Sequence, residues 1–138
     1  MELSYKAIFV ATLLEFIFGA AYYGPVFGKI WGRMHGFDKL SKEVQEKMMK
    51  GMAPYYAIQL FVTIVTTTVL ALFLKALPAG WNPYGMAGFF WLGFVVPTQV
   101  SAVIFGGTEP KWMLGKIMIS AVGSLGCLMI ATAILQVM

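Results

Sequence analysis

The sequence predicts an all-α protein, an integral membrane four-helix bundle, and three observations carry that expectation. Of 138 residues, 59% are hydrophobic and 12% charged, and the mean hydropathy is +0.78, so there is too little polar surface to coat a soluble globule. The apolar residues gather in four stretches, about 5–25, 54–75, 85–105 and 113–137, each near the ~20 residues that a helix needs to cross a ~30 Å hydrocarbon layer. Short polar connections separate them, so residues 1–138 read as a single transmembrane domain.

Composition also excludes function classes. One Cys (Cys127) and one His (His35) cannot build a disulfide framework or a zinc cluster, and no metal or cofactor is expected. The net charge of +4 is no nucleic-acid signature, because most basic residues lie in one connecting segment.

The first span carries an acid, Glu15, near mid-membrane, where an ionised carboxylate is costly. Ala7, Ala11, Gly19 and Tyr23 share its face at four-residue steps, which puts Glu15 on a close-packed seam and not toward lipid. The run Phe18-Gly19-Ala20-Ala21 loosely resembles a leader cleavage site. Glu15 interrupts the apolar region, however, and only Lys6 supplies an n-region charge, so the span is expected to stay.

Residues 26–52 hold Lys29, Arg33, Lys39, Lys42, Lys47 and Lys50. Ser41 suits an N-cap, Glu43/Lys47 and Glu46/Lys50 are i,i+4 pairs, and Gly51 can stop a helix. Phe37, Leu40, Val44, Met48 and Met52 form an apolar stripe. A short amphipathic helix, about 41–50, is expected, lying either on the membrane surface near anionic head groups or against its own loops.

The second span opens with Pro54, a first-turn proline, and places Gln59, Thr63, Thr66 and Thr67 on one face. The third contains Pro97, Gln99 and Ser101 and should be kinked, because proline removes a backbone bond. The fourth presents Ser120, Gly123, Ser124, Cys127 and Ala131 as a small-residue seam for close helix approach. Tyr22, Tyr23, Trp31, Trp81, Trp91 and Trp112 are expected mostly as interfacial anchors. The ten Met residues lack the spacing of a copper site and read as lipid-facing packing. The segments 27–31 and 105–112 each run from Phe-Gly to a basic residue and Trp, a faint parallel repeat that chance explains equally well. Basic residues concentrate in the first and third connections, which the positive-inside rule places in the cytoplasm, with both termini outside.

The run Gly19-Ala20-Ala21-Tyr22-Tyr23-Gly24-Pro25-Val26-Phe27-Gly28-Lys29-Ile30-Trp31, followed by Arg33, Met34 and Gly36, a Lys/Glu/Met-rich helix and three further spans, resembles a small bacterial membrane family catalogued as domain of unknown function 1761. The resemblance covers nearly the whole chain and is most specific over 23–31. It implies four helices and brings no established activity. The expected location is the bacterial cytoplasmic (inner) membrane.

Two readings of Glu15 follow from the residues. In one it is a neutral, hydrogen-bonded packing group. In the other it is a proton or cation site with Gln59, Thr63, Gln99 and Ser101 as neutral ligands. Helix packing is assigned to Ala11, Gly19, Ser120, Ser124 and Cys127. No His lies within a span and the acids are too few to pair, so no enzyme is expected. The expected function is a homo-oligomeric transporter or channel for protons or small cations, with Glu15 faces meeting between copies. The alternative is an accessory subunit of a larger membrane complex.

Overall fold

The structure is a computed structural model that describes residues 2–138, and every regular element among them is helical. Helix α1 (Tyr5–Ala21) starts where Ser4 Oγ accepts the Ala7 N–H at 3.2 Å. It runs into a π-turn, Tyr22–Val26, that contains Pro25. Pro25 lacks an N–H and its ring crowds the preceding turn, so the backbone widens to place the next bond, Phe27 N–H to the Tyr22 carbonyl, at 3.0 Å. Helix α2 (Gly28–Met34), a 3₁₀ turn (Phe37–Lys39) entered through left-handed Gly36, and α3 (Lys42–Lys50) make up the long connection. Helix α4 (Ala53–Lys75) is followed by α5 (Pro83–Phe90), a second π-turn (Trp91–Val95), α6 (Val96–Phe105) and α7 (Pro110–Val137).

Four continuous helical stretches, Tyr5–Val26, Ala53–Lys75, Pro83–Phe105 and Pro110–Val137, are long and apolar enough to cross a membrane. The last two begin earlier than hydropathy alone predicts. Each opens on a proline in the first turn, where its missing N–H costs nothing, and Asn82 Oδ1 caps α5 by accepting from the Tyr84 and Gly85 N–H groups. Pro97 is also absorbed by a π-turn, but one that ends just before it, whereas Pro25 lies inside its own.

Helix α7 is the centre of the bundle. Helix α1 packs against it and against α4, while α5 and α6 cover another side of α7. Ala11, Leu70, Leu74, Ala87, Leu128 and Ala131 form a buried core toward the terminal end. Tyr22, Met34 and Ile119 form a second core toward the opposite end, ringed by Phe18, Tyr23, Phe27, Trp31 and Trp112. The closure is incomplete: residues 53–62 of α4 are exposed on every face.

Helix α3 has the cap expected of it, with Ser41 Oγ accepting the Val44 N–H at 3.4 Å, and its apolar stripe is not covered by the chain. The Glu43/Lys47 and Glu46/Lys50 pairs do not close, and the one ion pair among the described residues is Lys111 Nζ to Glu109 Oε2 at 3.4 Å. At exposed positions such pairs gain little over hydration.

The small residues of α7 seat aromatic rings. A Cβ on Gly123 would stand 2.7 Å from Tyr22 Cε1, and one on Gly126 would stand 2.6 Å from Phe18 Cζ. Gly19 does not share in this packing, since a Cβ there would meet nothing within 4 Å. The close approach of α1 is made instead by Ala7 and Ala11, at 1% and 0% exposure.

Candidate functional site

Glu15 lies inside the bundle at 4% exposure. The Thr67 hydroxyl of α4 donates to its Oε2 at 2.5 Å, and Cys127 Sγ of α7 stands 4.0 Å from its backbone carbonyl. The cations of the surrounding helices, Lys6, Lys75, Lys111 and Lys116, stand in the outermost one or two turns, and among the described residues none pairs with the acid. Thr67 is fully buried and also contacts the Thr63 carbonyl, at 2.7 Å. One hydroxyl proton cannot serve two acceptors at full strength.

One turn from Glu15, on the same side of α1, Thr12 is 3% exposed and its hydroxyl has no partner. Elsewhere in the spans, Thr63, Thr66, Thr67, Thr68, Thr98 and Thr132 each donate to the carbonyl four residues back, at 2.6 to 3.0 Å. Thr12 departs from that habit, and a buried hydroxyl left unpaired costs about 1–3 kcal/mol.

The five residues expected to converge do not. Gln59 and Thr63 bond to each other on the exposed part of α4, and only the Thr63 carbonyl touches the site, through Thr67. Gln99 turns to α7, where its Nε2 donates to the Ser120 carbonyl and its Oε1 accepts from Ser124 Oγ, both at 3.3 Å. Ser101 is exposed. The lateral rotation of each helix decides these pairings, and periodicity along a single helix does not encode it.

Two aromatic residues expected at the interface are fasteners of the bundle. Tyr22 O–H donates to the Ile119 carbonyl at 2.6 Å, and Trp91 Nε1–H donates to the Ala121 carbonyl at 2.9 Å and to Ser124 Oγ at 3.0 Å. Each opens a π-turn, and both grip the same turn of α7. Of the two serines assigned to packing, Ser124 also bonds toward the third span through its hydroxyl, while Ser120 offers it only a backbone carbonyl. Lys29, Arg33, Lys39, Lys42, Lys47 and Lys50 are all exposed. Among the described residues no group of three or more His, Cys, Asp or Glu could hold a metal ion.

The family model described as Protein of unknown function (DUF1761) matches residues 6–136, a stretch that includes Glu15, Thr67 and both aromatic fasteners. The chain belongs to this family. No curated protein and no solved structure matches it. Family membership assigns no chemistry, so the site is read from its geometry. Thr12 was legible as a neighbour one turn from Glu15, and Thr67 as part of the polar face of α4. Nothing in the sequence set Trp91 apart from the other aromatics.

Proposed function

We propose that the chain is a multi-pass protein of the bacterial cytoplasmic membrane that moves protons, or small cations in exchange for them, with Glu15 as the site that binds and releases them. The observation that carries this is a buried carboxyl with no cationic partner, held by one hydroxyl and flanked by a second that has no partner at all. A neutral Glu15 can donate to Thr67 while Thr67 donates to the Thr63 carbonyl. An ionised one must draw the Thr67 proton away from that carbonyl, so the two protonation states differ in a defined hydrogen-bond arrangement. Because α1, α4 and α7 of one chain enclose Glu15, the site is proposed for each protomer and not for a shared interface between copies.

In reconstituted liposomes, Glu15→Gln is expected to abolish proton-coupled flux while the protein stays folded. Flux equal to the wild type would dispose of the proposal. The proposed topology has both termini outside, with α3 on the cytoplasmic surface, its Val44 and Met48 toward lipid and its lysines toward head groups. Cysteines introduced at Gly51 and Ala79 test it by labelling from outside, and only the second should react. Ala79 is the better position because its neighbour Gly80 has φ +88, which a side chain would strain.

A second reading, an accessory subunit, is favoured by one observation. Residues 53–62 of α4 expose Tyr55, Ile58 and Phe61 together with Gln59, a helix surface that a larger assembly would cover. Native mass spectrometry of the protein taken from its own membrane separates the two. Foreign subunits on the complex support the second reading, and copies of this chain alone support the first.

A further inference from the structure

We propose that Glu15 exchanges with water from the terminal side of the bundle only, through a cleft between α1, α4 and α7, with the Thr12 hydroxyl as the relay between cleft and carboxyl. This rests on Glu15 being the site proposed above, and it adds the route and its direction. At the terminal end a surface depression of about 610 Å³ is lined by Glu2, Ser4, Tyr5 and Lys75. It shares Ser4 and Lys75 with a narrower cleft of about 60 Å³, whose walls include Ala7, Ala71 and Gln136, one wall from each of the three helices around Glu15. Sixty cubic ångströms holds about two waters.

Ala7 and Glu15 are two turns apart on one face of α1, about 12 Å along the helix axis. Within that interval, beyond the cleft wall at Ala7, stands Thr12, buried and unpartnered, and the buried core on this side of Glu15 sets small Ala11, Ala71 and Ala131 among Leu70, Leu74 and Leu128, aliphatic side chains that need only shift to admit a water. The other direction is closed. Below Glu15 the rings of Phe18, Tyr22, Tyr23, Phe27 and Trp31 pack on one another, with centroids 4.8 Å apart for Tyr22–Phe27 and for Tyr23–Trp31. The groups facing Glu15 are Thr67 of α4 and Cys127 of α7, and Lys75 at the cleft rim is the nearest cation along the route.

Loading breaks one O–H bond on a hydronium ion in the cleft and forms one on a Glu15 carboxylate oxygen. Thr12 accepts the incoming proton at its oxygen and passes its own proton on, so that it ends as the hydroxyl it began as. Release reverses these steps to the same side. A second exit, needed to complete transport, then requires the aromatic layer to part.

The test applies a pH jump to one face of vesicles whose protein orientation is fixed by labelling at Ala79→Cys, and follows the Glu15 carboxyl band by time-resolved infrared spectroscopy. A jump on the terminal side should be sensed about tenfold or more faster than one on the opposite side, where exchange must wait for local opening of the bundle. Ala71→Leu, which fills the cleft, and Thr12→Val, which removes the relay, should each slow the terminal-side response, and the conservative Thr12→Ser should restore it. Equal response from both sides, or a faster one from the opposite side, overturns the route while leaving Glu15 as a proton site. A carboxyl that answers a jump on neither side overturns the functional reading beneath it.

Discussion

Two polar clusters lie within this apolar bundle, and they are built on different terms. Between the third span and α7, Trp91, Gln99 and Ser124 form a closed network in which the indole N–H, the amide nitrogen, the amide oxygen and the serine hydroxyl all have partners. Between α1, α4 and α7, Glu15 and Thr12 have a single side-chain bond between them, from Thr67. A satisfied network fastens helices where no water can substitute for a lost partner. An unsatisfied one retains a group free to change partners. The first cluster is fitted for holding, and the second for exchange.

That contrast breaks down if the two clusters respond alike to substitution. The largest effect on stability is expected at Trp91→Phe, which removes the donor to the Ala121 carbonyl and to Ser124 and should cost about 1–3 kcal/mol, read from denaturant unfolding in detergent. A neutral result there would mean that the network is not a fastener. Thr12→Val should shift stability by about 1 kcal/mol in the opposite direction, because it deletes a buried hydroxyl that no partner compensates. A loss of stability in that variant would mean that Thr12 is already bonded, and the distinction between the clusters would disappear. The smallest shift is expected at Glu15→Gln, within about 0.5 kcal/mol, since the amide keeps the shape and can accept from Thr67 or donate to it. What that variant should lose is function, not fold.

The spans were legible because an uninterrupted apolar run has few alternatives to a helix. Their starts were less so: Pro83 and Pro110 extend the third and fourth helices by capping chemistry that hydropathy does not register. The seam through Ala7, Ala11 and Glu15 could be read from four-residue spacing along α1. Its partner could not, because Thr67 lies 52 residues away and reaches Glu15 only through the register of α4 on α1. Gln59 and Thr63 share a helical face with the true partner and miss the site by two turns and one. The glycines misled for a related reason. Gly19 had the expected spacing, but space between helices is set by the opposing side chains, and it is Gly123 and Gly126 that Tyr22 and Phe18 overlie. Tyr22 and Trp91 were indistinguishable from interfacial aromatics, since their bonds to the α7 carbonyls depend on how the first and third spans pack on α7.

The central claim is that Glu15 changes protonation inside the bundle. Equilibrium infrared difference spectroscopy across a pH titration tests it most directly, with wild type and Glu15→Gln compared in the same lipid. The account predicts a protonated-carboxyl stretch that disappears as pH rises in the wild type and has no counterpart in the variant. A spectrum of the wild type that matches the variant at every pH would contradict it, leaving Glu15 a fixed packing group like the network around Trp91.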